Sequence, residues 1–246
     1  PTEDIIECAV QSLGLNDVAL FEPNEKIIDY AVLSDEKEKE KIIDTEFLQE
    51  LSRNSPAPGG GSVAALSGSL GASLSSMVAS LTHEKKEMLE SKPLMDEIGI
   101  EAQSLKDSLS VLIEEDTNAF NSVMKANRLP QNTKYEKVLR KDAILSANKY
   151  ATEVPFETAQ KCFRVLQLSE QLVLQGNPNS VSDAGVAAEV ALAGVRGACM
   201  NVMINLSGIN DKSFVKKMND KVNKLTKDSE SLHERIYKQT LLIIKK

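Results

Sequence analysis

The stretch Ser55-Pro-Ala-Pro-Gly-Gly-Gly-Ser62 opens a long uncharged segment, since no charged residue occurs between Arg53 and His83. Within that segment, large apolar residues recur every three or four positions, as on one face of an α-helix: Leu66, Leu70, Leu74, Met77 and Leu81. A second face carries small residues that let another backbone approach closely: Ala64, Gly68, Gly71, Ser75 and Ala79. The pattern predicts a buried helix whose N-terminal N–H groups attract anions or electron-rich groups.

The chemistry of this stretch leaves three other interpretations open. Gly-Gly-Gly-Ser is typical of flexible linkers, but the prolines stiffen its start and the helical pattern begins within one residue. The uncharged run is long enough to cross a membrane, which takes about 20 residues. Its seven serines between Ser62 and Ser80 favour a packed helix instead, so no membrane span is expected. The glycines could also serve close packing alone.

The composition favours helices packed on helices. The 246 residues include no tryptophan and few other aromatic residues, and 36 acidic against 29 basic residues disfavour nucleic-acid binding. Three widely spaced cysteines, Cys8, Cys162 and Cys199, are predicted to be buried thiols in a reducing, cytoplasmic compartment. Two histidines, His83 and His233, are too few for a histidine metal cluster, and no metal is expected.

A charge run from Ser34 to Lys41 marks the predicted domain boundary. Residues 1–41 are predicted to form an N-terminal linker-like segment, and residues 42–246 a helical domain. The first residue is proline rather than methionine, so we expect a piece of a longer protein. The successive helical patterns after the boundary predict an all-α bundle of long antiparallel helices.

Two polar residues interrupt apolar stripes in this bundle. Asp116 falls on a regular stripe: Ile98, Ala102, Leu105, Leu109, Leu112, Ala119 and Val123. A carboxylate there has to be paired, hydrogen-bonded or protonated, for structural or for chemical reasons. Lys149 lies on the apolar stripe of the following predicted helix, which begins after Pro130, and could pair with another helix or line a pocket. Pro155 is expected to kink that helix and free the carbonyl of Ala151.

A second turn-rich loop, from Gly176 to Asp183, opens another helix of small residues that should run to about Leu206. Asp183 lies in the first turn, where the helix dipole favours a negative charge. Because small-residue helices pack closely, this helix could lie against the one that starts at the glycines. If the two N-termini converge, four side chains would meet in an anion-friendly pocket: Ser62, Asn179, Ser182 and Asp183.

These motifs resemble the formiminotetrahydrofolate cyclodeaminase family, which includes methenyltetrahydrofolate cyclohydrolases. The resemblance covers about Thr45 to Leu206. Its stretches are SPAPGGGSVAALSGSLGASLSSMVASLT from Ser55, ATEVP from Ala151, GNPNSVSDAGVAA from Gly176 and GACMNVMIN from Gly197. Residues 1–33 resemble the linker that joins a formiminotransferase domain to the cyclodeaminase domain in the bifunctional enzyme.

The resemblance implies a cyclodeaminase-like, all-helical fold that forms at least a dimer. It implies an ammonia-lyase that converts 5-formiminotetrahydrofolate to 5,10-methenyltetrahydrofolate, a step of histidine degradation. The folate substrate, polyglutamylated forms included, would be bound without a metal or other cofactor, and a formiminotransferase domain could belong to the same native chain. The alternatives are a cyclohydrolase, which opens methenyltetrahydrofolate with water, and a non-catalytic helical oligomerisation module.

The resemblance also implies roles for single residues. Asp183, in the family's SDAG motif, is the first candidate for the carboxylate that moves protons between N10 and the departing nitrogen, and Asp116 is the second. The glycine loop would hold the pterin or the glutamate end through its N–H groups, and Lys149 and Arg196 would meet the anionic tail. The expected substrate-binding residues are Ser55, Pro56, Gly59, Gly60, Gly61, Ser62, Asn179, Ser182, Lys149, Arg196 and Asn205.

Overall fold

The structure, a computed structural model, describes residues 6, 9–16, 20–27 and 45–245. The chain divides into two compact units, residues 1–52 and 53–246. In the first unit, one helical turn spans Pro23–Lys26 and helix α1 spans Thr45–Leu51. The predicted boundary after residue 41 and the side chain of Cys8 lie outside the described residues.

The second unit is a bundle of long helices. They are α2 (Gly60–His83), α3 (Lys92–Asn127), α4 (Lys134–Gln175), α5 (Val181–Leu206) and α6 (Lys212–Ile244). Short 3-10 turns at Lys86–Ser91 and Pro178–Ser180 precede α3 and α5. No strand occurs in the described ranges, so the predicted all-α fold is confirmed.

Helices α2 and α5 pack against each other through their small residues, as the sequence predicts. A Cβ added at Gly60 would lie 3.5 Å from Nδ2 of Asn201, and one added at Gly71 would lie 3.0 Å from the carbonyl oxygen of Ala187. Residue numbers therefore rise along α2 while they fall along α5, and the two helices run antiparallel. The absence of side chains at the contact brings the two backbones close together.

A methyl group has no space at Gly194, where α5 crosses α2 and α4. An added Cβ would lie 2.7 Å from Sγ of Cys162 and 2.9 Å from the carbonyl oxygen of Ala64. We expect Gly194→Ala to lower the free energy of unfolding by about 1–3 kcal/mol, because a backbone carbonyl cannot move away alone. Urea denaturation measures this change.

Gly99 on α3 provides the matched control, since the nearest atom to an added Cβ there lies 3.8 Å away. Gly99→Ala should raise the free energy of unfolding by about 0.5–1 kcal/mol, because alanine loses less backbone entropy in a helix than glycine does. Equal destabilisation by the two substitutions would contradict a packing role for Gly194.

Four of the large apolar side chains of α2 lie on the surface of the chain. Val63, Leu70, Met77 and Leu81 are 36%, 51%, 39% and 42% exposed, whereas the small-residue face is buried. The predicted buried helix is therefore buried on its small-residue face, and the face with these four large residues is exposed. Helix α5 repeats this arrangement, with exposed Val186, Met200 and Ile204.

Two segments, Gly60–His83 and Pro178–Leu206, are long and apolar enough to cross a membrane by length and composition. Of their most apolar windows, 61% and 50% of the residues are buried inside the protein, and core helices pass the same test. The described cysteines, Cys162 and Cys199, are buried as predicted. Burial raises the pKa of the Cys162 thiol to about 12.

Candidate functional site

At one end of the bundle, the N-terminus of α2 meets Asp116 of α3. The Ser62 hydroxyl lies 3.1 Å from Oδ2 of Asp116 and 3.2 Å from the carbonyl oxygen of Ile113, so it can donate to either. A Cβ added at Gly61 would overlap the Asp116 carboxylate. Position 61 therefore has to be glycine for the carboxylate to lie directly on the first turn of α2.

Opposing effects act on the pKa of Asp116: burial favours its neutral form, and hydrogen bonds favour its ionised form. Burial raises the pKa of the Asp116 carboxyl, and hydrogen bonds from the side chain and backbone N–H of Ser62 oppose this rise. The ionised form also faces the partial positive charge of the helix N-terminus. The carboxylate is thus hydrogen-bonded to a neighbouring helix, and the upward direction of its pKa shift favours a group that both accepts and donates a proton.

Two asparagines of α5 reach the same end of the bundle. Asn201 lies beside Gly60, and its Nδ2 donates to the carbonyl oxygen of Gly197 at 2.9 Å. Asn205 donates from Nδ2 to the carbonyl oxygen of Ala151 at 2.5 Å. This carbonyl is the one that Pro155 deprives of a helical N–H donor, so Asn205 occupies it.

We expect Asn205→Ala to lower the free energy of unfolding by about 1–3 kcal/mol, because the buried Ala151 carbonyl loses its donor. In a Pro155→Ala background the loss should be smaller, since residue 155 then offers a backbone N–H to Ala151. Chemical denaturation of both single variants and the double variant measures this coupling. An effect of Asn205→Ala that is the same in both backgrounds would show that the carbonyl does not depend on this amide.

Glu115, the sequence neighbour of Asp116, and its partner Tyr150 were not among the residues predicted from the sequence. Glu115 accepts a hydrogen bond from the Tyr150 hydroxyl of α4, and this contact raises the pKa of Tyr150 to about 12. In the sequence, only their positions could have indicated them: Glu115 directly precedes Asp116, and Tyr150 directly precedes the ATEVP motif. They add a second carboxylate and a phenol to this end of the bundle.

Lys149 and Arg196, the cations expected to meet an anionic tail, are both paired within the protein. Nζ of Lys149 lies 2.7 Å from Oδ2 of Asp211, and this hydrogen bond lowers the pKa of Asp211. Nη2 of Arg196 lies 2.9 Å from Oε1 of Glu230 on α6. Both cations therefore pair with acidic residues at α6, which is one of the possibilities that the sequence left open.

The glycine loop is held by its own short contacts. The Ser55 hydroxyl donates to the carbonyl oxygen of Ala57 at 2.7 Å, and the Ala57–Pro58 peptide is cis. The carbonyl oxygen of Pro56 would lie 3.4 Å from a Cβ added at Gly59. Gly59 is the N-cap of α2 and has no side chain to cap it, so the first N–H groups of the helix are left to other acceptors.

The expected meeting of the two turn-rich loops is wrong within one chain. The N–H of Asn177 donates to Oγ1 of Thr82 at 2.9 Å, so the second loop lies at the C-terminal end of α2. About 30 Å of helix separates Thr82 from Ser62. The reason is the antiparallel packing of α2 and α5, which sets three candidate residues apart from Asp116: Asn179, Ser182 and Asp183.

Comparisons with known proteins agree with the fold and the motifs. Residues 44–224 match the family model described as Formiminotransferase-cyclodeaminase. The Methenyltetrahydrofolate cyclohydrolase of Methylorubrum extorquens is 40% identical over 191 residues, which are 78% of this chain and 92% of that protein. A crystal structure of formiminotetrahydrofolate cyclodeaminase from Thermotoga maritima superposes with a TM-score of 0.74 at 29% identity, over 84% of this chain and 100% of that one.

Longer proteins match as well. The Formimidoyltransferase-cyclodeaminases of Mus musculus and Gallus gallus are 33% and 34% identical over 93% and 92% of this chain. The matches cover 43% and 42% of those two proteins. The chain therefore spans less than half the length of these bifunctional relatives.

Proposed function

The chain belongs to the formiminotransferase-cyclodeaminase family of folate-processing enzymes, and we propose that its reaction is the cyclodeaminase one. In this reaction 5-formiminotetrahydrofolate closes to 5,10-methenyltetrahydrofolate and ammonia leaves. The observation that carries the proposal is the position of Asp116, whose carboxylate lies against Gly61 on the first turn of α2 and accepts a hydrogen bond from Ser62. The bifunctional relatives support it, since they match 92–93% of this chain and the cyclohydrolase matches 78%.

The chemistry needs one proton to move between two nitrogens. N10 attacks the carbon of the protonated formimino group, and the new C–N bond leaves N10 with a proton to lose. Asp116 in its ionised form accepts this proton and then donates it to the amino nitrogen on the same carbon. The bond from carbon to that nitrogen breaks, ammonia leaves, and the methenyl cation remains. A positioned acid–base group contributes on the order of 10²–10⁴-fold to such a step.

The other residues at this end of the bundle position and stabilise. Ser62 orients the Asp116 carboxylate through its hydroxyl. The negative charges of Asp116 and Glu115 stabilise the cationic product. The uncapped N–H groups at Gly60 and Gly61 supply donors for pterin oxygen or nitrogen atoms. No cofactor besides the tetrahydrofolate substrate is part of this proposal.

One assay separates the candidate functions. A cyclodeaminase produces the absorbance of methenyltetrahydrofolate from 5-formiminotetrahydrofolate, with one ammonia per turnover. A cyclohydrolase, favoured by the 40% identity to the Methylorubrum enzyme, instead removes that absorbance from added methenyltetrahydrofolate. Uncatalysed cyclisation is subtracted with a blank that contains no protein. Absence of both activities would leave the helical oligomerisation module.

The proposal includes a homodimer formed through the exposed apolar residues of α2 and α5. On each helix these residues lie about a quarter turn from the face that contacts the other helix, at 100° per residue, so they form one surface. The α2 part carries no charge, so a second copy of this acidic chain can approach without repulsion between like charges.

We expect sedimentation equilibrium to give a dimer that Leu70→Glu converts to a monomer. Val111→Glu, at an exposed apolar position on α3, should leave the dimer intact. A monomeric parent protein, or a dimer that tolerates Leu70→Glu, would rule out this face. The partial coverage of the bifunctional relatives supports a formiminotransferase domain in the same native chain, and the mass of the native protein tests that part.

A further inference from the structure

A cavity of about 580 Å³ opens between the start of α4 and the loop that joins α5 to α6. Its lining combines basic, apolar and polar residues: Lys137, Arg140, Lys141, Leu145, Gly208 and Asp211. The three basic residues follow one another at helical spacing, so they share one face of α4. Lys137, Arg140 and Lys141 form what we call the basic groove.

The cations of the basic groove have no acidic partner within ion-pair distance in the part of the chain that the structure describes. Arg140 donates from Nη2 to the carbonyl oxygen of Asn127 at 2.9 Å, and its buried Nε has no hydrogen-bond partner. Asp211, the acid in the lining, already pairs with Lys149. The groove thus holds positive charge and an open buried donor in a protein of net charge −7.

The basic groove lies on α4, which packs beside the α3 helix that carries Asp116, and it lies farther along the bundle axis. Tyr150 of α4 contacts Glu115, the neighbour of Asp116, and Arg140 precedes Tyr150 by about 15 Å of helix. The contact of Arg140 with Asn127 lies about 16 Å beyond Asp116 along α3, in the same direction. Along the helix axes the groove therefore lies about 15 Å from Asp116, a separation that the two ends of an elongated ligand can span.

We propose that Lys137, Arg140 and Lys141 bind the glutamate carboxylates of the folate substrate, an inference that rests on the proposed function. The guanidinium of Arg140 can hold one carboxylate through parallel N–H donors. The two lysines act as point charges on the second carboxylate. The groove thus takes the role that the sequence assigned to Lys149 and Arg196, whose charges are already neutralised.

The test compares two substrates that differ only in the glutamate. In the double variant Arg140→Gln/Lys141→Gln, we expect KM for 5-formiminotetrahydrofolate to rise at least about tenfold, with a far smaller change in kcat. With 5-formiminotetrahydropteroate, which lacks the glutamate, parent protein and variant should have the same KM. The control Lys224→Gln/Lys227→Gln, which removes two exposed charges of α6, should change neither value.

Two results would overturn the inference: an unchanged KM for the glutamate-bearing substrate, or an equal rise for both substrates. Calorimetry with p-aminobenzoylglutamate tests the groove without turnover, since this probe lacks the reacting atoms. Binding to the parent protein and its loss in the double variant support the assignment. Absence of binding to the parent, or equal binding to both proteins, contradicts it. Failure of the proposed reaction would be recognised separately, as a parent protein that turns over neither substrate.

Discussion

Asp116→Asn is expected to reduce turnover of 5-formiminotetrahydrofolate at least about a hundredfold, because the amide cannot carry a proton between N10 and the leaving nitrogen. Asn keeps the shape of the side chain and can still accept from Ser62. The loss should therefore appear in kcat, with KM changed little. Steady-state kinetics on the methenyl absorbance measures both values.

Asp183→Asn makes the same chemical change at the other end of the bundle and serves as the control. Its turnover should stay close to that of the parent protein. The reverse result, a large loss for Asp183→Asn and a small one for Asp116→Asn, would restore the assignment that the family resemblance implies.

Asp116→Asn should also have a distinctive effect on stability. Because burial raises the folded-state pKa of Asp116 above its unfolded value, the stability linked to this group is fully present below the unfolded pKa. That stability is lost as the pH rises through the folded pKa. Asn does not ionise, so the Tm of the variant relative to the parent should increase from about pH 4 to about pH 8. A Tm difference that does not vary with pH would contradict the raised pKa.

Gly61→Ala is expected to abolish most activity, although it removes no functional group. The added methyl would overlap the Asp116 carboxylate, so either the carboxylate or the first turn of α2 has to shift. Misplacement of a catalytic group by about 1 Å can lower the rate on the order of a hundredfold. We also expect a loss of about 1–3 kcal/mol in unfolding free energy from overpacking. Kinetics and urea denaturation measure the two effects.

Gly60→Ala is the matched control, one residue earlier in the same turn. An added Cβ there lies 3.5 Å from the Asn201 amide, an ordinary contact, so activity should stay within about twofold of the parent value. If both substitutions removed activity equally, the loop would require glycine for a reason other than the approach of Asp116.

Much of the fold could be predicted from residue periodicity, and the site only in part. The apolar stripe around Asp116 identified it as an unusual residue, because the pattern of this single helix is enough to show a carboxylate among buried apolar positions. Its partner Ser62 lies 54 positions away and depends on how α2 packs on α3, which no local pattern encodes. The same limit applies to Lys149, whose partner Asp211 is 62 positions away.

The relative direction of α2 and α5 shows a second limit of sequence patterns. Small residues in both helices predicted a close contact, and the contact is present at Gly60, Gly71 and Gly194. A row of small residues has almost the same shape in both directions, so it does not distinguish parallel from antiparallel packing. The antiparallel choice places Asp183 at the end opposite Ser62 and moves the proposed chemistry to Asp116.

The buried position of Cys162 makes the labelling rate of its thiol a measure of how often the helices around it separate. Its sulfur lies at the crossing of α2, α4 and α5, without solvent exposure and with both Gly68 and Gly194 against it. A thiol reagent can reach this sulfur only when the crossing opens, so in a Cys8→Ser/Cys199→Ser background the labelling rate measures how often the helices separate. Substrate that is bound at Asp116 and contacts both α2 and α3 should slow the labelling rate, because it stabilises the packed state of these helices.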